Sequence, residues 1–155
     1  MIRIGIDPGI SGAIAAIDDN DNVILLRDMP TMPRLHGKGE MVNGAELASI
    51  IMDARAGNES IVYLEQVAAM PGQGVTSMFH FGESVGVVLG VLQTLQCRYV
   101  MVKPQAWKKA AGIVGKDKDA ARTLAIQLFP AISDKLTRKK DVGRADALLI
   151  AKFGQ

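Results

Sequence analysis

Met1-Ile2-Arg3-Ile4-Gly5-Ile6-Asp7-Pro8-Gly9-Ile10-Ser11-Gly12 opens the chain. Ile2, Ile4 and Ile6 alternate with Arg3 and Gly5, the period of a strand. The strand runs out on a carboxylate, Asp7, and turns at Pro8-Gly9. Pro8 has no N–H to donate and Gly9 admits positive φ, so the backbone can leave beside the carboxylate. A second apolar run, Ala13 to Ile17, follows at once, and the polar Asp18-Asp19-Asn20-Asp21-Asn22 leads to a third, Val23 to Leu26. The pattern predicts a three-stranded antiparallel meander. An ordinary Asp-Pro-Gly turn has the same residues; a functional Asp7 requires other carboxylates to reach the same place.

The 155 residues suffice for one domain with a real core, spanning 1–155, and are too few for two ordinary ones. With 48% hydrophobic and 22% charged residues the composition is that of a soluble globular protein, and no run suggests the 18 to 20 apolar residues of a membrane span. The amino terminus lacks a basic region followed by a long apolar segment, so no signal peptide is expected. The single cysteine, Cys97, is expected to be a buried thiol and allows no intramolecular disulfide, consistent with a reducing cytoplasm. Charge is divided along the chain. Residues 1–102 carry 6 Lys/Arg against 11 Asp/Glu, and residues 103–155 carry 12 against 5. The acidic part suits metal and the basic part suits polyanions, although surface solubility can produce the same split.

Met29 to Glu40, rich in Pro, Met and Gly, reads as a loop. Val42 to Ala56 carries a helical stripe closed by Gly57-Asn58. Ile61 to Glu65 is a nearly continuous apolar run, suited to a strand buried on both faces, and it also ends in a carboxylate. After the Met70–Gly74 loop, a long helix is expected from about Val75 to Leu95. Its Gly82, Gly86 and Gly90 fall four apart, on one face. Each costs roughly 0.8–1 kcal/mol against alanine, so close approach of another backbone is the natural reason. That backbone belongs either to the same subunit or to a second copy. Tyr99 to Val102 is the next strand. Lys103-Pro104 opens a short helix with Trp107, Lys108 and Lys109, broken at Gly112–Gly115. Another helix runs to Phe129, and the last begins near Gly143.

Four carboxylates end strands or open helices: Asp7, Glu65, Asp141 and Asp146. For the last two, the preference of helix amino termini for anions is a sufficient explanation by itself. Three or four carboxylates converging from separate segments are costly unless a cation neutralises them. Oxygen-only ligands suit Mg²⁺ or Mn²⁺ rather than zinc, and two such ions together serve phosphodiester hydrolysis.

The order of these features resembles the ribonuclease H-like superfamily, and more closely the RuvC-type Holliday junction resolvases, especially their short phage forms. The matching stretches are Gly5-Ile6-Asp7-Pro8-Gly9, Glu65-Gln66-Val67, Phe81-Gly82-Glu83-Ser84-Val85-Gly86, Val102-Lys103-Pro104-Gln105-Ala106-Trp107-Lys108 and Ala145-Asp146-Ala147-Leu148. The resemblance implies an α/β fold with a mixed five-stranded sheet flanked by helices. It implies a homodimer, for which the stripe of Gly82, Gly86 and Gly90 is the candidate seam, making paired nicks across four-way junctions, with forks and flaps as further branched substrates. It makes Asp7, Glu65 and Asp146 metal-binding catalytic carboxylates for Mg²⁺, with Mn²⁺ as substitute and two ions per site. Lys108 becomes a catalytic lysine at the phosphate. Lys118 matches a second basic position near the phosphate, and Lys103, Lys116, Arg138, Lys139 and Lys140 of the basic part are further candidate DNA-binding positions. No nucleotide cofactor and no membrane partner are expected, and the setting is a bacterial or phage-infected cytoplasm.

The chain departs from the family pattern twice. The acid or histidine three or four residues before the final Asp is replaced by Gly143 and Val142, so that either Asp141 fills the role as a further metal ligand through a bend at Gly143, or the site works with three carboxylates. The junction-opening aromatic three residues after the Glu is replaced by Ala68, with Met70, Phe79 or Phe81 as substitutes. Two further readings stand beside the resolvase: a nuclease for structured RNA, and a junction-binding protein with weakened catalysis. Actin-like sugar kinases share an acidic first motif but need two such domains.

Overall fold

Ile2, Ile4 and Ile6 enter the core on one face of a sheet, while Gly5 lies against a helix on the other. The computed structural model describes residues 1–117 and 119–155; the expected DNA contact Lys118 lies outside the described residues. Strands β1 (Ile2–Asp7), β2 (Ala13–Ile17) and β3 (Val23–Asp28) form the meander, and β4 (Thr31–Pro33) and β5 (Glu40–Val42) follow. Helix α1 (Gly44–Arg55), β6 (Ser60–Glu65), α2 (Val75–Thr94) and β7 (Tyr99–Val102) come next. Then come α3 (Pro104–Ala110), α4 (Ala120–Leu128), the 3-10 turns Pro130–Leu136 and Lys139–Asp141, and α5 (Val142–Phe153).

The main sheet has the order β3-β2-β1-β6-β7. β1 pairs antiparallel with β2 and parallel with β6, and β6 pairs parallel with β7. The mixed five-stranded sheet is therefore present as expected. Its period of two divides the core into two layers. Ile14, Ala16, Val62 and Leu64 join Ile2, Ile4 and Ile6 beneath α1 and α2. Ala13, Ala15, Ile17, Ile61 and Tyr63 pack with Trp107, Ala121, Ala125 and the buried face of α5. Each fully buried isoleucine contributes about 1.5–3 kcal/mol of transfer free energy, which fixes the strand register.

Three expectations change. Part of the segment read as a loop pairs as a β4–β5 hairpin, Thr31 opposite Val42 and Pro33 opposite Glu40. Arg34 within it forms an ion pair with Glu83 of α2. Cys97 is half-buried rather than buried, beside the Arg55 guanidinium at 3.7 Å.

The third change concerns α2, a helix of 20 residues that is long and apolar enough by length and composition to cross a membrane. Ser84, Val88 and Leu92 are its buried positions. Gly82, Gly86 and Gly90 face outward, and an added Cβ on any of them would meet nothing within 4 Å. Packing within the subunit therefore does not account for the glycine stripe.

Candidate active site

Strand parity brings the first two carboxylates together. Ile6 of β1 stands opposite Leu64 of β6 in the parallel pair, so Asp7 and Glu65 leave the same edge of the sheet from adjacent strands. Asp7 shares the parity of Gly5, and Glu65 that of Ile61 and Tyr63, so both belong to the face covered by α5.

Glycines bring in the third. A Cβ on Gly5 would lie 2.1 Å from the Ala147 carbonyl oxygen and 2.4 Å from the Ala151 nitrogen, so α5 can lie along β1 only where position 5 has no side chain. A Cβ on Gly143 would lie 2.5 Å from the Ser11 carbonyl oxygen. The first turn of α5 thus rests on the turn that follows Asp7, and Asp146 is carried toward the Asp7 carboxylate. Gly143 serves this close approach, not the bend anticipated from the sequence.

The Asp7 and Asp146 carboxyls both feel their burial and the Glu65 charge. Burial pushes the Asp146 carboxyl up to about 7, with the Asp7 and Glu65 charges adding to the shift and Lys108 opposing it. Asp7 is pushed up to about 6, by burial first and then by Glu65, against the Gly9 N–H and Lys108. Among the described residues, no three Asp, Glu, His or Cys side chains are drawn together tightly enough to hold an ion as they stand. The Glu65 charge nonetheless acts on both Asp7 and Asp146, and the Asp7 charge on Asp146, as expected of neighbouring carboxylates, because such effects reach farther than a coordination bond. A half-buried, oxygen-only, anionic set short of positive charge fits a hard divalent cation once its side chains close.

Two groups frame the carboxylates. The Trp107 indole Nε1–H donates to Glu65 Oε1 at 2.9 Å. The Lys108 ammonium lies 5.2 Å from the centre of the Trp107 ring and acts on both Asp7 and Asp146. Beside them opens a cleft of about 850 Å³ whose lining includes Gln105, Lys108, Lys116, Lys139 and Asp146. Of the expected DNA contacts, Lys108, Lys116 and Lys139 therefore share the cleft with the Asp146 carboxylate. Lys103 lines a separate shallow groove with Lys109. Arg138 and Lys140 are exposed.

Asp141 is not brought to the cluster. Its carboxylate, 2% exposed, accepts the Arg138 backbone N–H at 2.8 Å and the Arg138 guanidinium at 2.8 Å, with Arg144 at 3.9 Å. These arginines hold its carboxyl below the usual carboxylate range, the Arg138 hydrogen bonds being the main cause. Arg144 also grips Asp28 through two hydrogen bonds of 2.6 and 2.8 Å. The start of α5 is thereby tied to the end of β3. Of the substitutes for the junction-opening aromatic, Phe79 (72%) and Met70 (64%) are exposed. Phe81 lies 3.8 Å from where a Gly9 Cβ would be, so the start of α2 adjoins the Asp7 turn.

No protein-family model matches the chain. Among solved structures, Thermus thermophilus RuvC in complex with a Holliday junction substrate is similar over 97% of this chain and 90% of that one, with a TM-score of 0.61 and 18% identity. The fold is that of RuvC. A second T. thermophilus RuvC structure matches with a TM-score of 0.56 and 17% identity, covering 99% and 97% of the two chains. The yeast mitochondrial Holliday junction resolvase Ydc2 matches with a TM-score of 0.54 and 14% identity, covering 96% and 75%. In sequence, 92 residues are 39% identical to the chloroplastic Holliday junction resolvase MOC1 of Chlamydomonas reinhardtii. That match covers 59% of this chain and only 10% of MOC1. The resemblance read from the motifs is thus matched by a resolvase in sequence and by the RuvC fold in structure.

Proposed function

We propose that this RuvC-fold chain is a divalent-metal-dependent endonuclease that cuts branched DNA, four-way junctions first, by paired nicks as a homodimer. The observation that carries this reading is the convergence of Asp7, Glu65 and Asp146 from two adjacent strands and a helix into one electrostatic site. Burial and mutual repulsion push two of them up to about 6 and about 7. The similarity to MOC1 and to a RuvC described with its junction supports DNA junctions as the substrate.

Asp7, Glu65 and Asp146 would hold the cation, and the chain's own residues suggest the remaining division of labour. When bound, a divalent cation supplies the positive charge that stabilises a phosphodiester displacement. Lys108 stands where its ammonium can meet a phosphate oxygen next to the carboxylates. Lys116 and Lys139 draw the backbone of the scissile strand into the cleft, contacts that position without reading sequence. The outward Gly82, Gly86 and Gly90 of α2 offer a flat, largely apolar face for a second copy, which would set two sites on opposite strands. With the other carboxylates in place, Asp141 acts as an anchor for the start of α5, and the site works with three.

Incubation of the protein with labelled four-way junction, matched duplex and structured RNA, each with Mg²⁺, Mn²⁺ or EDTA, tests this reading. Symmetric nicks in the junction that require a divalent cation are expected. Cleavage of the RNA alone would replace DNA as the substrate, and tight junction binding without cutting would make the chain a binding protein.

A further inference from the structure

Trp107 is the single tryptophan of the chain, fully buried in the layer of core beneath α5. A buried indole N–H needs a hydrogen-bond acceptor. Trp107 spends its donor on Glu65 Oε1 at 2.9 Å, a carboxylate of the candidate site. Among the described residues, Glu65 Oε2 has no hydrogen-bond partner. The same ring carries the Lys108 ammonium 5.2 Å from its centre. One rigid, packed side chain thus touches both the glutamate and the lysine of the site, from the strand β6 and the helix α3.

We propose that Trp107 is a positioning residue: its indole N–H fixes the Glu65 carboxylate for cation binding, and its ring face holds Lys108 toward the phosphate. This rests on the metal-dependent reading of the site. A hydrogen bond to a charged acceptor is roughly twice as strong as a neutral one, and at Oε1 it removes the rotational freedom of the carboxylate. Partners that orient a ligand in this way typically govern metal affinity or activity by about 10- to 100-fold. A tryptophan that only fills the core would act through its volume, and phenylalanine would replace most of it.

Trp107→Phe keeps an aromatic ring and removes the N–H, so it separates the two roles. Mg²⁺ affinity by calorimetry, Mn²⁺ affinity by electron paramagnetic resonance, and thermal unfolding are measured on the wild type and the variant. Because Trp107 is the sole tryptophan, emission of the wild type is also followed during a Mg²⁺ titration, with Asp7→Asn as control. The expected result is cation affinity about 10-fold weaker in Trp107→Phe with the unfolding midpoint little changed. Wild-type emission should respond to Mg²⁺, and that response should be lost in Asp7→Asn. A folded Trp107→Phe with wild-type cation affinity would overturn the proposal and leave the nuclease reading intact. If the variant does not fold, wild-type emission insensitive to bound Mg²⁺ overturns it instead. A wild type that binds neither cation would overturn both.

Discussion

Asp146 and Asp141 stand five residues apart at the start of α5 and have opposite electrostatics. In the folded protein the Asp146 carboxyl is pushed up to about 7 from an ordinary value of 3.8, burial being the largest cause. The folded state therefore holds that proton more tightly, so this contribution to stability is full below about pH 4 and is lost as pH rises through about 7. Each unit of difference is worth roughly 1.4 kcal/mol. In EDTA, Asp146→Asn should unfold at a higher temperature than the wild type at pH 8, by a few kcal/mol of stability, with the gap closing toward pH 4, and should abolish cleavage. Parallel melting curves across that range would contradict the assignment. Asp141 has the reverse sign. Arg138 lowers its pKa, so its contribution is present above the ordinary carboxylate range and lost as pH falls through the depressed value. At pH 7, Asp141→Asn should lower the melting temperature by about 2–4 °C and leave cutting at saturating Mg²⁺ close to wild type. Loss of cutting with an unchanged melting temperature would make Asp141 a ligand after all. The sequence made Asp7 and Glu65 legible because each ends an apolar run. The pairing of Asp141 was not legible, because its partners, Arg138 and Arg144, lie three residues to either side, where charge spacing looks like any solvated face.

Helix α2 carries the clearest test among the elements. Its glycines were legible as a stripe, but spacing alone could not say which backbone they face; the open space around all three decides against the subunit's own. Gly86→Leu should therefore leave the monomer folded, and gains roughly 0.8–1 kcal/mol of helix propensity. If the proposed dimer seam lies on this face, the variant should be a monomer by light scattering where the wild type is a dimer, and should no longer make paired nicks. A variant that stays dimeric would place the seam elsewhere. The β4–β5 hairpin was not legible, because three-residue strands containing Pro33 lack the length for an alternating pattern to emerge. Long elements fared better. The apolar runs of β1, β2 and β6 gave their boundaries to within a residue, since both faces of those strands are buried. Trp107 stood in plain view beside Lys108, yet only the fold brings Glu65 to its indole.

Across the whole molecule, the candidate site draws on both parts of the divided charge. The acidic part supplies Asp7 and Glu65 from the sheet, and the basic part supplies the lysines of the cleft together with Asp146. Loss of one carboxylate should then remove catalysis without removing attraction for phosphates, and would if anything relieve repulsion of the DNA. The most direct measurement compares wild type and Asp7→Asn on one labelled four-way junction in Mg²⁺, reading affinity by gel shift and nicking by denaturing gel at the same salt. The predicted result is junction binding at least as tight as wild type with no nicks on either strand pair. Cutting by Asp7→Asn at the wild-type rate would contradict a nuclease site built on Asp7, Glu65 and Asp146.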